Sequence, residues 1–467
     1  MPKEMSPRRL LEFIFLDETG GVRDTASLLL PCGSVPHSLL ARRRGKLPAT
    51  SFYMSHMRRA KALLHAGAGI TLLVSFLAGC RERDPAYEPE LGPPGPVERF
   101  LLPEATPVPA TAVAEAEALV HARMDGEAFP GAALAVGNRE LIQEVAVFGK
   151  AHWDKDAPAV DADSTLYDLG SLTKVVATTA AVMALVDDGR MDLDAPVQRY
   201  LPEFSGENKD QVTVRHLLSH TGGVRAGVVE VKGDTPQEVR RILLSLPLLR
   251  PPGGDVLYSD LGFIILWAAA ERAAGEPLGR YLRRRVWGPL GMTSTLVGVP
   301  TGCEKCAPSL YLPERNEPYT GGSYDEVSRR LDGLAGNAGA FSTVRDVARF
   351  AAMIANEGRF GNVRVLRTRT VRAFTQPQPN AGTRALGWEV YCREGSVPDH
   401  QQCKDVYAFG HTGVTGTSIW IDPEGRSWVV LLTNRTFLPR AEVHMQELRR
   451  ELYETVTGHL APAGSGQ

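Results

Sequence analysis

The spacing of apolar residues divides the chain into a helix-rich middle with strands on both sides of it. The pattern begins with helical spacing at 112–124, followed by two alternating, strand-like runs at 132–136 and 142–148. Helical spacing then dominates at 171–188, 236–247, 261–274 and 344–357. Strand patterns return at 385–391, 406–409, 416–421 and 427–432. This order predicts an α/β fold of the α+β type, in which an antiparallel sheet built from both chain ends is flanked by helices and an all-helical lobe is inserted.

A short apolar run with basic residues before it precedes this pattern. It starts at Met57-Arg-Arg and ends at Leu77-Ala-Gly-Cys80. A basic start, an apolar stretch shorter than a membrane span and small residues before a cleavage point are typical of a signal peptide. The last four residues resemble a bacterial lipobox, which implies cleavage before Cys80 and acylation of its thiol. We therefore expect an exported bacterial lipoprotein, attached through its N-terminal lipid to a membrane of the cell envelope on the periplasmic side.

This signal sets the expected domain boundaries. Because a signal peptide should stand at the N-terminus, we expect translation to begin at Met54 or Met57. Prolines recur after Cys80 without helical or strand periodicity, which is typical of an extended tether. The expected segments are a mis-assigned upstream segment at 1–53, the signal peptide at 54–80, the tether at 81–110, one folded domain at 111–460 and a flexible tail at 461–467.

The composition excludes several classes of partner. The 467 residues carry 52 Lys and Arg against 54 Asp and Glu, and the net charge of -2 provides no basic field to attract nucleic acid. The glycine-rich signatures that bind nucleotide phosphates are also missing from the sequence. We therefore expect a small-molecule or peptide substrate, no nucleic-acid partner and no cofactor.

Ser171-Leu-Thr-Lys174 places a hydroxyl and an amine three residues apart at the start of a predicted helix. Side chains at this spacing project from the same helix face. The first N–H groups of a helix favour a developing oxyanion, and a lysine in a partly buried cleft can have its pKa lowered enough to accept a serine proton. Spacing alone is a weak signal, because Ser-x-x-Lys also occurs where the serine is only a helix cap.

Three motifs in order give the serine–lysine pair its context. They are Leu169-Gly-Ser-Leu-Thr-Lys174, Tyr258-Ser-Asp260 and Phe409-Gly-His-Thr-Gly413. Because of these three motifs, residues 129–434 resemble the serine β-lactamase and penicillin-binding protein family. The resemblance is to its class C-like branch of peptidases, esterases and β-lactamases in particular. The resemblance implies a β-lactamase/transpeptidase-like fold.

The resemblance also implies an acyl-enzyme mechanism. Ser171 would attack a carbonyl carbon while Lys174 and Tyr258 relay its proton, and water would then hydrolyse the resulting ester. The backbone N–H groups of Ser171 and Val414 would form the oxyanion hole. The substrate-binding residues that the resemblance implies are His411, Thr412, Gly413 and Val414.

Two residues depart from the pattern common in β-lactamases. Asp260 replaces an Asn, and its carboxylate would stabilise the ammonium form of Lys174 and shift proton abstraction toward Tyr258. His411 replaces a Lys, and a histidine that is largely neutral at pH 7 would bind a substrate carboxylate less strongly. We therefore expect inefficient hydrolysis of carboxylate-bearing β-lactams.

Two further histidines are candidate metal ligands by their spacing. His216 and His220 are four residues apart, but no Glu stands between them in zincin spacing and no third ligand is evident. His220 also begins a second His-Thr-Gly, which ends a helical run rather than lying between strands. We expect no metal site.

The cysteines that remain after Cys80 and Cys32 are Cys303, Cys306, Cys392 and Cys403, and they allow three pairings. The last two flank a polar insert between predicted strands, where a disulfide would restrict the unfolded chain. The first two have the spacing of a redox motif but lack its strand and helix, which favours a structural or surface role.

The preferred function is hydrolysis of an amide or ester bond in a cell-envelope peptide or a related small molecule. The alternatives among enzymes are a true class C-like β-lactamase and a carboxylesterase. The alternative outside enzymes is a penicillin-binding sensor that acylates without turnover.

Overall fold

The computed structural model describes residues 106–458, except 228–230, 232, 299–301, 314–316, 394–401, 425 and 443, together with the backbone of three strands nearer the N-terminus. Apart from the strand at 72–73, the expected signal peptide lies outside the described residues, and so do Cys80, most of the tether and the tail at 461–467. The three early strands belong to a unit, Met1–Arg83, that is separate from the unit Asp84–Gln467. They are β1 (Arg8–Leu16), β2 (Val22–Pro31) and β3 (Leu72–Leu73), and they pair antiparallel in the order β2-β1-β3.

The second unit contains the remaining elements. Its strands are β4 (Gly131–Gly137), β5 (Ile142–Gly149), β6 (Tyr167–Asp168), β7 (Leu296–Val297), β8 (Leu310–Leu312), β9 (Glu317–Tyr319), β10 (Ala340–Ser342), β11 (Arg359–Phe360), β12 (Val363–Arg364), β13 (Glu389–Cys392), β14 (Val406–Thr412), β15 (Ser418–Ile421) and β16 (Trp428–Thr433). Its α-helices are α1 (Ala110–Asp125), α2 (Ala180–Asp187), α3 (Val214–Leu218), α4 (Pro236–Ser245), α5 (Asp260–Ala274), α6 (Leu278–Leu282), α7 (Glu326–Arg330), α8 (Val344–Ala355), α9 (Thr368–Thr375) and α10 (Met445–Thr457).

The main sheet joins the two ends of this unit. Its six strands have the order β13-β14-β15-β16-β4-β5, and every pair is antiparallel. The last strand, β16, therefore pairs with the first, β4, and the helical residues between β5 and β13 form the inserted lobe. The predicted fold class is confirmed.

Alternating side chains along the central strands bury both faces of the sheet. On β4, Ala133 and Ala135 face the large cluster formed with the helical lobe, whereas Leu134 and Val136 face a smaller cluster beneath α1 and α10. This period of two is the expected geometry of an extended strand. Helices therefore cover the sheet on both sides, and the larger core lies on the side that carries the catalytic motifs.

The helix that begins at the Ser171 motif runs through the centre of the larger core. It is continuous from 170 to 187, with a 3₁₀ turn at Gly170–Leu172, a π-helical stretch at Lys174–Thr179 and then α2. It ends before Gly189, whose φ of +64° permits the chain to turn away. Gly170–Asp187 is the one helical stretch among the described residues that is long and apolar enough to cross a membrane, but 89% of it is buried inside the domain.

Two predicted strands start at least two residues later than the pattern indicates, because the run at 416–421 becomes a strand at Ser418 and the run at 385–391 at Glu389. The alternation at 385–391 becomes a strand only at Glu389, because Gly387 has a φ of +84° and its backbone N–H donates to the Leu218 carbonyl instead of to a sheet neighbour. A Cβ at Gly387 would lie 2.0 Å from Thr179 Oγ1, so this close approach to the helix requires glycine.

The four cysteines form two disulfides. Cys303 pairs with Cys306, and Cys392 at the end of β13 pairs with Cys403 just before β14. This is one of the three pairings that the sequence leaves open. It agrees with a structural role for both pairs.

Candidate active site

Ser171 and Lys174 meet at the start of the central helix. Lys174 is completely buried, whereas Ser171 is partly exposed. The Lys174 Nζ atom donates hydrogen bonds to Ser171 Oγ at 3.0 Å, to Asp260 Oδ1 at 2.7 Å and to the Asn337 carbonyl oxygen at 3.1 Å. These three acceptors use all three protons of an ammonium group. The spacing of the first motif therefore brings the hydroxyl and the amine into contact.

The surroundings of Lys174 favour its charged form. Burial alone would lower the pKa of the amine, but the neighbouring side chains of Tyr258 and Asp260 outweigh burial and raise that pKa above its ordinary value. Lys174 is therefore an ammonium at neutral pH. In this state it donates a hydrogen bond to the Ser171 hydroxyl and has no lone pair with which to accept the serine proton.

Tyr258 and Asp260 reach this lysine from the start of α5. Ser259 caps the helix, because its hydroxyl accepts the Gly262 backbone N–H at 3.0 Å. The Tyr258 ring centroid lies 4.9 Å from Lys174 Nζ, and Asp260 makes the ion pair described above. A single capped turn thus delivers two of the predicted catalytic side chains to the same ammonium.

His220 holds the segment that carries Tyr258. Its carbonyl oxygen accepts the Leu257 N–H at 2.8 Å, and its Nδ1 accepts the Ser259 N–H at 3.0 Å. Its ring centroid lies 4.5 Å from that of Tyr258. His216 instead caps α3, where its Nδ1 accepts the Thr213 N–H at 3.3 Å. Across the described residues, no group of three His, Cys, Asp or Glu side chains is placed to hold a metal ion.

The turn after β14 is hydrogen-bonded to the backbone that precedes Ser171. Thr415 Oγ1 donates to the Asp168 carbonyl at 2.7 Å, and Thr417 Oγ1 donates to the Leu169 carbonyl at 2.8 Å. A Cβ built on Gly170 would lie 3.2 Å from the backbone nitrogen of Val414. The turn therefore places the Val414 N–H next to the start of the helix, where backbone N–H groups lack intrahelical acceptors.

One edge of β14 is open beside these groups. Strand β13 pairs with β14 only as far as Gly410, and on that side no strand within the described part of the chain pairs with His411 or Thr412. Gly413 follows at the turn, where its N–H donates to the Thr417 carbonyl at 2.8 Å, and the Val414 side chain is 41% exposed. The open edge leads directly to Ser171.

His411 is buried and neutral. Its Nδ1 lies 2.8 Å from the Thr412 carbonyl oxygen, which can only accept, so Nδ1 carries the proton. Burial, followed by the nearby charges of Lys174 and Arg384, lowers the pKa of the imidazole to about 3. The ring Nε2 is buried and finds no hydrogen-bond partner among the described residues. This position therefore supplies no positive charge to the site.

A second carboxyl group, which sequence reasoning did not single out, lies partly buried near Lys174. Asp325 caps α7 by accepting the Ser328 N–H at 2.7 Å, and it also interacts with the side chain of Asn337. Burial is the main cause of the raised pKa of Asp325, and the charge of Asp260 adds to it. In the sequence, Asp325 has the position of an ordinary helix N-cap, so nothing there indicates that it lies near the site.

Arg384 is the other group that sequence reasoning missed. Its guanidinium carbon lies 5.4 Å from the Tyr258 ring centroid, and its side chain is 16% exposed. It stands just before the strand pattern of β13, where no motif marks it. Only the folded chain brings it to Tyr258.

Comparisons with known proteins give matches to a family model, to curated relatives and to solved structures. A family model described as "Beta-lactamase" matches residues 116–454. A protein of Escherichia coli (strain K12) named "Putative D-alanyl-D-alanine carboxypeptidase" is 28% identical over 320 residues, which are 62% of this chain and 73% of that protein. The solved structure of EstCE1, "a hydrolase with promiscuous acyltransferase activity", has a TM-score of 0.58 at 23% identity and covers 74% of this chain and 98% of its own. A "Beta-Lactamase/D-Alanine Carboxypeptidase from Pseudomonas syringae" has a TM-score of 0.59 at 19% identity and covers 76% of this chain and 100% of its own.

Proposed function

Because the chain belongs to the β-lactamase family of serine hydrolases, we propose that it cleaves an amide or ester bond of a cell-envelope peptide, or of a related small molecule, through an acyl-enzyme on Ser171. The observation that carries this proposal is the buried Lys174 ammonium, which donates to Ser171 Oγ at 3.0 Å. A buried ammonium within hydrogen-bond reach of a partly exposed serine stabilises the negative charge that develops on the serine oxygen as its proton leaves.

The proton of Ser171 passes through Tyr258 in this proposal. As Ser171 Oγ bonds to the substrate carbonyl carbon, the Tyr258 oxygen takes up the serine proton and gives its own hydroxyl proton to the leaving group. Lys174 remains an ammonium throughout and steadies the serine oxygen by its hydrogen bond. Asp260 and the Asn337 carbonyl hold that ammonium in place. In the second half-reaction, water attacks the ester and its proton returns to Ser171 by the same path.

The oxyanion of each tetrahedral intermediate is assigned to the Ser171 and Val414 backbone N–H groups. The support is the docking of the Val414 turn on the backbone just before Ser171, through Thr415 and Thr417. Donors fixed in this way need no rearrangement when charge develops on the substrate oxygen. In known sites of this type, each donor stabilises the transition state by about 3 kcal/mol.

An extended peptide is the substrate that fits the open edge of β14. A peptide backbone can add to an unpaired edge as an extra strand, which aligns its carbonyl groups along His411–Val414. The name of the Escherichia coli relative supports a peptide ending in D-alanine. The neutral His411 supplies no positive charge for the carboxylate of a penicillin or of such a peptide, so it does not distinguish the two substrates.

Labelling and turnover of Ser171 variants test the proposal. A fluorescent fluorophosphonate should label the wild-type protein and Ser245→Ala equally, because Ser245 is exposed at the end of α4, whereas Ser171→Ala should remain unlabelled. The wild type should release D-alanine from an acyl-D-Ala-D-Ala peptide, and Ser171→Ala should not.

The same assay separates the other functions. A penicillin or a nitrophenyl ester turned over much faster than the peptide would replace the peptidase assignment by a β-lactamase or an esterase. Stable acylation by penicillin without turnover of any substrate would indicate a sensor. Equal labelling of wild type and Ser171→Ala would show that Ser171 is not the nucleophile.

A further inference from the structure

Asp168 is a buried carboxyl group three residues before Ser171. It lies on the short strand β6, where it pairs with Phe341 of β10, and only 2% of its surface is exposed. Among the described residues, no Lys, Arg or His side chain forms an ion pair with it. Because a buried charge without a counter-ion is costly, it persists only where hydrogen bonds stabilise it.

The two carboxylate oxygens of Asp168 join two separate segments of the chain. Oδ1 accepts the Gly170 N–H at 2.9 Å, which closes a turn at the start of the central helix. Oδ2 accepts the Tyr324 N–H at 2.5 Å and the Ser323 hydroxyl at 3.4 Å. These donors belong to the loop 321–325, called the Tyr324 loop below. Asp168 therefore fastens the Tyr324 loop to the start of the central helix.

The hydrogen bond to Gly170 acts on the backbone next to the nucleophile. Gly170 has a φ of +53°, which lies in the left-handed region that favours glycine. The peptide bond that follows Gly170 carries the Ser171 N–H, which is the first of the two proposed oxyanion donors. An acceptor that fixes the Gly170 N–H therefore restricts the direction in which the Ser171 N–H can point.

The Tyr324 loop leads to Lys174 at the other end of this connection. Asp325 follows Tyr324 in the loop and interacts with the side chain of Asn337. The Asn337 carbonyl accepts one of the three Lys174 protons. The hydrogen bonds of Asp168 therefore connect the backbone of the nucleophile to the residues that surround the lysine.

This connection depends on the charge of Asp168. The ionised carboxylate offers one acceptor oxygen to each of the two backbone N–H groups. Protonation turns one oxygen into an O–H donor, and an Asn side chain would place an NH₂ donor there. In both cases one backbone N–H loses its strong acceptor, because hydrogen bonds to an ionised group are roughly twice as strong as those between neutral groups.

We propose that Asp168 is a positioning residue whose ionised carboxylate holds Ser171 and its oxyanion N–H in the geometry for acylation, and that protonation of Asp168 releases this geometry. The proposal rests on the proposed function of the same site. Asp168 touches neither substrate nor the serine hydroxyl in this role, and acts through the Gly170 N–H and the Tyr324 loop.

The surroundings of Asp168 bring its protonation into an accessible pH range. Burial raises the pKa of this carboxyl group to about 6, and the negative charge of Asp325 in the Tyr324 loop acts in the same direction. Tyr167 on β6 stays neutral in this range, because burial raises its pKa, and Lys174 on the central helix stays an ammonium. The contacts of Asp168 with β10 and with the turn after β14 are to uncharged residues.

The pH dependence of Ser171 labelling tests the proposal. In the wild type, the rate of the fluorophosphonate reaction should fall by about tenfold or more between about pH 8 and about pH 5, because small misplacements of reacting groups are costly, and the step should lie near pH 6. Asp168→Asn should react at the slow rate throughout and lack this step, because its side chain does not ionise.

Asp161→Asn is the matched control. Asp161 also accepts backbone N–H groups with a carboxylate oxygen, but it is exposed and lies in the loop before β6. This variant should keep both the wild-type rate and the step near pH 6. An Asp168→Asn protein that reacts at the wild-type rate, or that keeps the step, would overturn the proposal.

Amide resonances of the wild type make the test independent of whether Asp168→Asn folds. The Gly170 and Tyr324 amide protons should shift together with pH, and with the same midpoint as the labelling rate. Separate midpoints, or amide protons that do not respond, would overturn the proposal. A wild type that is not labelled at any pH would contradict the proposed function, whereas a joint shift of the two amide protons would still support the connection through Asp168.

Discussion

At the residue scale, the charge of Lys174 depends on two neighbouring side chains, those of Tyr258 and Asp260. The sequence pattern allows the amine to act as a base, yet Asp260 at 2.7 Å and the Tyr258 side chain raise its pKa although the group is completely buried. The family's common Asn at position 260 would remove that negative charge. The ionic state of the lysine therefore depends on the first and third residues of the second motif, and the sequence pattern pointed only to the carboxylate of the third.

Replacement of Asp260 by Asn should move one limb of the pH profile. The substitution removes the carboxylate that stabilises the ammonium, so the pKa of Lys174 falls. If the ammonium is the working form, the alkaline limb of the pH profile will move to lower pH. The acidic limb will not move. The measurement is kcat/KM for the peptide between pH 5 and about pH 11.

Asp255→Asn is the control for this prediction. It is an exposed aspartate in the loop before Tyr258 and should leave both limbs unchanged. A shift of the acidic limb to lower pH in Asp260→Asn would contradict the proposal, because it would identify neutral Lys174 as the base.

At the element scale, two short segments position the reacting groups from outside the motif helix. The Tyr258 segment is held by the backbone and the ring of His220, and the Val414 turn is held by the hydroxyls of Thr415 and Thr417. Arg449 of α10 secures the same turn from behind by donating to the Gly413 carbonyl at 2.7 Å and to the Thr417 carbonyl at 3.0 Å. The turn that carries Val414, the proposed second oxyanion donor, is thus held by contacts to the start of the motif helix and to α10.

Replacement of Thr417 by Val should weaken acylation more than substrate binding. Valine keeps the shape of threonine but removes the hydrogen bond to the Leu169 carbonyl, which loosens the turn that carries Val414. We expect kcat to fall by roughly tenfold to a hundredfold. This decrease is no larger than the decrease in kcat that follows removal of one oxyanion donor. The buried carbonyl left without its donor should also lower the free energy of unfolding by about 1–3 kcal/mol.

Rates of fluorophosphonate labelling and urea unfolding curves measure the two effects separately. Thr375→Val, which removes a hydroxyl bonded within α9, is the control and should leave the labelling rate unchanged. A Thr417→Val protein that is less stable but labels at the wild-type rate would show that the turn has no influence on the oxyanion hole.

At the scale of the whole molecule, local patterns predicted most elements but not the contacts between distant ones. The alternation in β4 and β16 and the helical spacing of α5 and α8 depend on neighbours a few residues away, so they are visible in the sequence. The start of β13 is different, because the glycine that delays it is required by Thr179 on the central helix. A single sequence contains no trace of that packing.

The residues of the candidate site also fall into two groups, those that sequence motifs predict and those that only the fold brings to the site. Ser171, Lys174, Tyr258 and Asp260 belong to short motifs, and the structure brings all of them together. Arg384 belongs to no motif, and it reaches Tyr258 only because the loop before β13 folds back toward α5. The positioning role of His220 was hidden for another reason, since its spacing to His216 suggested a metal pair and its real partners are backbone groups.

The attachment of the whole molecule to a membrane remains a proposal that rests on the sequence. We propose that the mature protein is held at the envelope by an acylated Cys80, and expect Cys80→Ala to leave the protein unprocessed or to release it from the membrane fraction. Cell fractionation and intact mass of the mature protein test this. A wild-type protein that is found outside the membrane fraction with residues before 80 still attached would rule the anchor out.

The pairing of β4 with β16 has a consequence for the order in which the chain can fold. Leu134 pairs with Leu431, so the centre of the sheet joins residues that the ribosome makes at nearly opposite ends of synthesis. Arg123 of α1 and Glu451 of α10, 3.0 Å apart, add a second contact between early and late segments. Such distant pairs carry a large loop-closure cost and form late. A nascent chain in which Ser171 has been synthesised therefore contains the nucleophile but lacks the C-terminal strands of the main sheet. Its core remains incomplete until β16 has been synthesised.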